Sequence, residues 1–144
     1  MKHIVIIGGG AAGFFAAINC AEKNPDYNIT ILEKSSSVLN KVKISGGGRC
    51  NVTHACFDAK ELTKFYPRGE KQLLGPFTKF NPSNTIDWFS KRGVEIKREE
   101  DGRMFPATNS SQTIIDCFLS EVKRLGVKIR MQTGVEKLEI RNTK

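Results

Sequence analysis

His3-Ile-Val-Ile-Ile-Gly-Gly-Gly-Ala-Ala-Gly13, with the residues that follow it, decides the fold of this chain. The opening apolar run has the pattern of a short strand buried on both faces of a parallel sheet. It leads directly into G-x-G-x-x-G, with glycines at 8, 10 and 13. The three glycines serve different ends, with a tight turn at Gly8, close approach of backbone to a pyrophosphate at Gly10, and close packing of helix on strand at Gly13. Ala11, Ala12, Ala16 and Ala17 carry the chain on as a helix whose N-terminal amides and positive dipole end face the phosphates. A second apolar run, Asn28-Ile-Thr-Ile-Leu-Glu33, ends in a carboxylate about twenty residues beyond Gly13, where an adenosine ribose needs an acceptor. A glycine-rich turn without a ligand would share the three glycines. It would not need strand, helix, second strand and acid in one βαβ unit. The stretch reads as a dinucleotide-binding half-site.

The composition fits that reading. A chain of 144 residues, 39% hydrophobic and 26% charged, is long enough for one domain with a core of its own. No apolar run reaches the roughly 18 residues of a membrane span. Met1-Lys-His3 enters a strand directly, without a signal peptide's apolar region, so a cytoplasmic protein with no membrane partner is expected. Cys20, Cys50, Cys56 and Cys117 form no C-x-x-C and no ligand-like spacing with His3 or His54. Neither a metal site nor structural disulfides are expected. A net charge of +8 calls for an anionic partner, with dinucleotide phosphates and nucleic acid as the two candidates. Bases and acids alternate in runs such as Lys97-Arg-Glu-Glu-Asp101, the pattern of a solvated surface, which disfavours nucleic acid.

Beyond Glu33-Lys34 comes a polar turn, then a second glycine cluster, Ser45-Gly-Gly-Gly-Arg-Cys-Asn51, approached through Lys41 and Lys43. Consecutive glycines can turn backbone amides toward an anion, and Arg49 can add a charge-assisted hydrogen bond. A flexible surface loop is the competing reading. Residues 58–93 read as short helices over 58–66, 70–80 and 81–92, broken by prolines and carrying aromatics that suit a small core or lid. The segments 94–97 and 103–105 read as a hairpin turning at Asp101-Gly102. A helix over 112–125 follows, with Asn109 as N-cap and Gln112 completing a capping box. Val127 to Met131 reads as a third core strand, and Val135 to Ile140 as a fourth. His54 reads as a surface or hydrogen-bonded residue, and Cys20 and Cys117 as small core residues.

The spacing also bears on which dinucleotide binds. A simple NAD domain would reach its third strand within about 30 residues, but here residues 34–126 intervene, with a glycine loop and a helical insertion. That layout suits a flavoprotein FAD domain of the glutathione-reductase type. A carboxylate at Glu33 would repel the 2′-phosphate of NADP.

Ile6-Ile-Gly-Gly-Gly-Ala-Ala-Gly13, Lys43-Ile-Ser-Gly-Gly-Gly-Arg-Cys-Asn51 and Gly102-Arg-Met-Phe-Pro106 together resemble the YhiN/BaiN-like bacterial flavoproteins, and the match covers essentially the whole chain. The resemblance implies an α/β fold, a Rossmann-like parallel sheet of the FAD/NAD(P)-binding type with a helical insertion at about 52–108. It implies FAD as cofactor and hydride transfer through flavin N5. Gly8, Gly10, Ala11, Ala12 and Gly13 would hold the pyrophosphate, with Glu33 and Lys34 at the adenosine ribose. Lys43, Gly47, Gly48, Arg49, Cys50 and Asn51 would line the ribityl–phosphate channel, and Val135 would meet the adenine through its backbone. Family chains run to about 400 residues, so residues 1–144 would be the N-terminal portion and inactive alone. The expected partners are a small-molecule substrate and NAD(P)H as electron donor. No residue is assigned as catalytic acid or base. The alternatives are a NAD-binding Rossmann domain and a basic nucleic-acid-binding module.

Overall fold

The computed structural model describes residues 2–140. They form two compact units, one taking in residues 2–42 and 118–140, the other Lys43–Cys117. The second unit is wider at both ends than the insertion expected at 52–108.

The first unit is built on β1 (His3–Ile7), α1 (Ala11–Lys23), β2 (Asn28–Leu32) and β6 (Lys128–Arg130). The three strands form one parallel sheet in the order β1-β2-β6. His3 pairs with Asn28, Ile7 with Leu32, and Thr30 with Lys128. Ile29, Thr30 and Ile31 of β2 are buried, as a central strand requires. Phe14, Ala17 and Ile18 of α1 are fully buried, and the Phe14 ring lies 5.9 Å from that of Phe118. Of the small side chains read in α1, Ala17 faces the core, whereas Ala11, Ala12 and Ala16 are exposed.

Three strand expectations are corrected. Among the described residues β1 is an edge strand, with Val5 49% and Ile7 55% exposed. Exposure alternates along it, so only the Ile4 and Ile6 face is covered. β6 spans only three residues, of which Ile129 alone is partly covered, and among the described residues it pairs only with β2, which makes it a second edge. The expected fourth strand is absent: residues 133–140 carry no regular structure and, apart from Thr133, are exposed.

In the second unit, α2 (Asn40–Ile44) arrives from the first, and β3 (Thr53–His54), β4 (Ile96–Arg98) and β5 (Arg103–Pro106) form an antiparallel sheet in the order β3-β5-β4. The hairpin turns at Asp101-Gly102 as expected. Asp101 accepts from the Arg103 amide at 3.0 Å, and Gly102 takes φ +83. A Cβ on Gly102 would stand 2.7 Å from the His54 ring, which lies against Phe65 at 4.7 Å. His54 is thus a packing residue.

The helical segment resolves into α3 (Ala59–Thr63), α4 (Glu70–Lys79) and α5 (Pro82–Ser90). Asp58 caps α3, and Asn81 and Asn84 form a reciprocal capping box on α5 with Pro82 at its first position. Trp88 and Phe89 are buried, whereas Phe65, Tyr66 and Phe80 are exposed. Only part of the aromatic set is core.

Helix α6 (Ser111–Arg124) buries Ile114, Ile115, Cys117, Phe118 and Val122. Its start corrects the cap assignment. The Ser110 hydroxyl accepts from the Gln112 amide at 3.2 Å, while Asn109 stands one residue earlier at φ 55. Asparagine tolerates that left-handed conformation, so it serves the turn and leaves the capping to serine.

Candidate dinucleotide site

The carboxyl ends of β1 and β2 carry the glycine loop and Glu33, the edge of a parallel sheet where nucleotides bind. Gly8 turns the chain out of β1 at φ +104, its amide donating to the Leu32 carbonyl at 2.8 Å. Gly13 sits on the strand: an ideal Cβ there would lie 2.0 Å from the Gly8 carbonyl oxygen and 3.5 Å from Ile6 Cγ2. Gly10 is different. It caps α1 at φ −90, ψ −176, a backbone open to any residue, and a Cβ on it would meet nothing within 4 Å. Among the described residues nothing requires glycine at position 10. The first helical hydrogen bond runs from the Phe14 amide to the Gly10 carbonyl at 3.1 Å, so the amides of Ala11, Ala12 and Gly13 precede it at the positive end of the helix dipole. Ala11 and Ala12 are exposed there.

Glu33 follows β2 and is already engaged. Its Oε2 accepts from the Gly9 amide at 2.7 Å, and its Oε1 from the Ser35 amide at 2.9 Å and the Ser35 hydroxyl at 2.8 Å. The Ser35 and Gly9 amides, then the Ser35 hydroxyl, hold its carboxyl down at about 2. A carboxylate depressed in the folded state contributes its full stabilisation above its unfolded value near 4.5, and loses it as pH falls toward 2. The Gly9 amide resonance should therefore titrate with a midpoint near 2; a midpoint near 4.5 would mean that the Gly9–Glu33 bond is not formed.

The chain after β2 is tied to the chain leaving β6. The Glu33 amide donates to the Arg130 carbonyl, the Thr133 amide to the Glu33 carbonyl, and the Gln132 amide to the Ser35 carbonyl, at 2.8, 2.8 and 2.9 Å. Lys34 Cβ would lie 3.8 Å from a Cβ on Gly134. This segment brings Val135, 38% exposed, to the same end of the sheet as Glu33 and Lys34. The first unit thus assembles Gly8 to Gly13, Glu33, Lys34 and Val135 in one place.

The remaining predicted residues belong to the second unit. Gly46, Gly47 and Gly48 take φ of 56, 67 and 85, three successive left-handed residues that only glycine adopts readily. A Cβ on Gly46 would also meet the Asn51 amide at 2.7 Å and Phe105 at 2.9 Å. Arg49 Nη1 donates to Glu99 at 2.5 Å, and its guanidinium lies 4.0 Å above the Phe105 ring. Asn51 accepts from the Met104 amide at 3.3 Å. Cys50 is buried at φ 60, and burial pushes its thiol above the usual cysteine value. Lys43 is exposed, its carbonyl accepting from the Ser111 hydroxyl at 2.8 Å. This loop is therefore pinned to the β4–β5 hairpin through Arg49 and Asn51, and its glycines answer first to its own backbone. Among the described residues no disulfide joins the cysteines. Among the described residues no group of His, Cys, Asp and Glu could hold a metal ion.

Three contributors escaped the sequence reading. Gly9 occupies a variable position of the fingerprint, yet a Cβ on it would stand 2.8 Å from Val38 Cγ1 and 3.1 Å from Glu33. Ser35 and Leu39 lie in a loop of serines without periodic pattern. Gly9 alone left a signal, as one glycine more than the motif needs.

A family model described as "HI0933-like protein Rossmann domain" matches residues 2–144. The chain belongs to the HI0933-like family. That family, which includes the YhiN/BaiN-like flavoproteins, binds FAD through this domain. The HI0933-like chain is 31% identical to a 3-dehydro-bile acid delta(4,6)-reductase of Clostridium scindens, over 97% of this chain and 33% of that protein. It is 27% identical to a ribosomal RNA dihydrouridine synthase of Haemophilus influenzae, over 94% of this chain and 32% of that one. The Escherichia coli protein of the same name is 28% identical, over 91% and 31%. The chain thus spans about a third of the length of these relatives. Among solved structures, THI4 of Thermovibrio ammonificans superposes with a TM-score of 0.57 at 14% identity, covering 90% of this chain and 38% of that one. That likeness establishes the α/β Rossmann-type fold for the HI0933-like chain. No described helix is long and apolar enough to cross a membrane.

Proposed function

We propose that this HI0933-like chain holds the adenosine diphosphate half of FAD in a flavin-dependent reductase. Gly10 carries the reading. Its backbone is ordinary and no described residue lies at its Cβ position, so a ligand approaching the main chain gives a reason for glycine there. The diphosphate would sit over Gly10 and the amides of Ala11, Ala12 and Gly13. Glu33 would accept from a ribose hydroxyl, with Lys34 beside it and the Val135 backbone toward the adenine. Glu33 is anionic at every pH near neutrality, which suits a ribose diol and repels a 2′-phosphate. In the second unit, Lys43 and the Gly47–Asn51 loop remain candidates for the ribityl–phosphate portion. With Arg49 paired to Glu99, that role rests on the remaining guanidinium donors and on the loop amides.

FAD, when bound, supplies hydride transfer. The relatives' names describe a reductase of bile-acid double bonds and a synthase of dihydrouridine, a nucleoside whose base has had its ring double bond saturated. Both are carbon–carbon double bonds made electrophilic by a carbonyl. We read the substrate of this protein as a molecule of that class, with NAD(P)H as electron donor. We place the protein in the cytoplasm, where its cysteines would be kept reduced.

The visible spectrum of the purified whole protein tests the cofactor assignment. Flavin bands are expected. A colourless protein stabilised by NAD would instead be the NAD-binding alternative, and a colourless one binding RNA with strong salt dependence would be a nucleic-acid module.

A further inference from the structure

The loop after β2 does more than end in a carboxylate. Gly9 is held on both sides by it: the Gly9 amide donates to Glu33 Oε2 at 2.7 Å, and the Gly9 carbonyl accepts from the Leu39 amide at 2.8 Å. Leu39 is 1% exposed and stands at φ 59, a left-handed conformation unusual for a large apolar residue. Strain of that kind survives where surrounding structure imposes it, often beside a bound ligand. On the other carboxylate oxygen, Ser35 donates twice to Oε1, through its amide at 2.9 Å and its hydroxyl at 2.8 Å, with the Ser37 carbonyl at 2.6 Å as the hydroxyl's competing acceptor. The charged acceptor is the stronger of the two.

A carboxylate has about four lone-pair sites. Three donors therefore leave Glu33 roughly one, so a swinging bidentate grip on the ribose diol does not fit this arrangement. We propose that Ser35 is a positioning residue, which locks the Glu33 carboxylate so that it offers one fixed acceptor to a single ribose hydroxyl while holding the glycine loop through Gly9. Ribose recognition and the shape of the diphosphate loop then become one rigid unit. The proposal rests on the adenosine-site reading given above. It adds the residue that sets the geometry and the restriction to one hydroxyl.

The test uses the whole protein stripped of flavin, with affinity measured by calorimetry for FAD and for FAD analogues lacking the 2′- or the 3′-hydroxyl of the adenosine ribose. Ser35→Ala should weaken FAD about tenfold, the scale of a hydrogen bond to a charged group, and Ser35→Thr should restore it. The wild type should lose affinity for only one of the two deoxy analogues. For that analogue the Ser35→Ala penalty should vanish, because the hydroxyl that Glu33 is positioned to meet is gone. An equal Ser35→Ala penalty for FAD and both analogues would show a merely structural role and overturn the proposal, as would equal losses for the two analogues in the wild type. Glu33→Ala separates the two levels. If it binds FAD like wild type, the ribose reading fails and Ser35 with it. If it binds weakly while Ser35→Ala binds all three ligands normally, the ribose reading stands and Ser35 alone is refuted.

Discussion

Gly10→Val should purify folded and without flavin. Valine adopts φ −90, ψ −176 without strain, and its side chain starts in space that no described residue occupies. Unfolding of the flavin-free protein should therefore be unchanged by the substitution. FAD should bind at least about a hundredfold more weakly, the loss of roughly two hydrogen bonds to a charged group. Thermal unfolding of the flavin-free forms and titration of each with FAD are the measurements. A variant that keeps its flavin would mean that the diphosphate lies elsewhere. One that fails to fold would mean that glycine is needed by the chain itself.

Gly13→Ala should behave in the opposite way, although it adds only a methyl group. That methyl would lie 2.0 Å from the Gly8 carbonyl oxygen, a backbone atom fixed by the turn out of β1. Helix and strand must separate to admit it, at a cost on the order of 3 kcal/mol, the upper range of overpacking. Denaturant unfolding of the flavin-free protein should show that loss directly. Flavin affinity should fall as well, because the amides of α1 move with the helix. A variant as stable as wild type would contradict the close approach. The two glycines are three residues apart in one motif, and they answer to different physical demands, one to a ligand and the other to packing.

That difference marks what the sequence could disclose. Glycines at 8, 10 and 13, the small residues after them and an acid at position 33 are fixed by residue type and spacing, so the βαβ unit was legible. The hairpin at Asp101-Gly102 and helices α3 to α6 were legible too, from turn chemistry and apolar period. Periodicity identifies a strand but does not count its neighbours, and for that reason β1 and β6 read as core strands while being edges here. Alternation from Val135 to Ile140 mimicked a strand, but no neighbouring strand pairs with it in the described residues. Within the site, the pairing of Arg49 with Glu99 was not legible, because the two lie 50 residues apart in sequence. Ser35 and Leu39 work through tertiary hydrogen bonds that no local pattern announces.

The pairing of β6 with β2 also bears on how the chain reaches this state. Both strands belong to one sheet, and the chain from residue 33 to 127 lies between them. Such a pairing forms late, because the entropy of closing so long a loop is lost before any ladder bond is gained. The antiparallel sheet and its helices are made of contacts internal to that loop, from Lys43 to Cys117. If they form first, they shorten the length of chain that remains to be closed. The order of events would then run from the inserted unit outward, with β6, and the Glu33–Thr133 bond that follows it, among the last native features to appear. The nucleotide site would be completed at the end of folding, when the chain returns to the sheet on which it began.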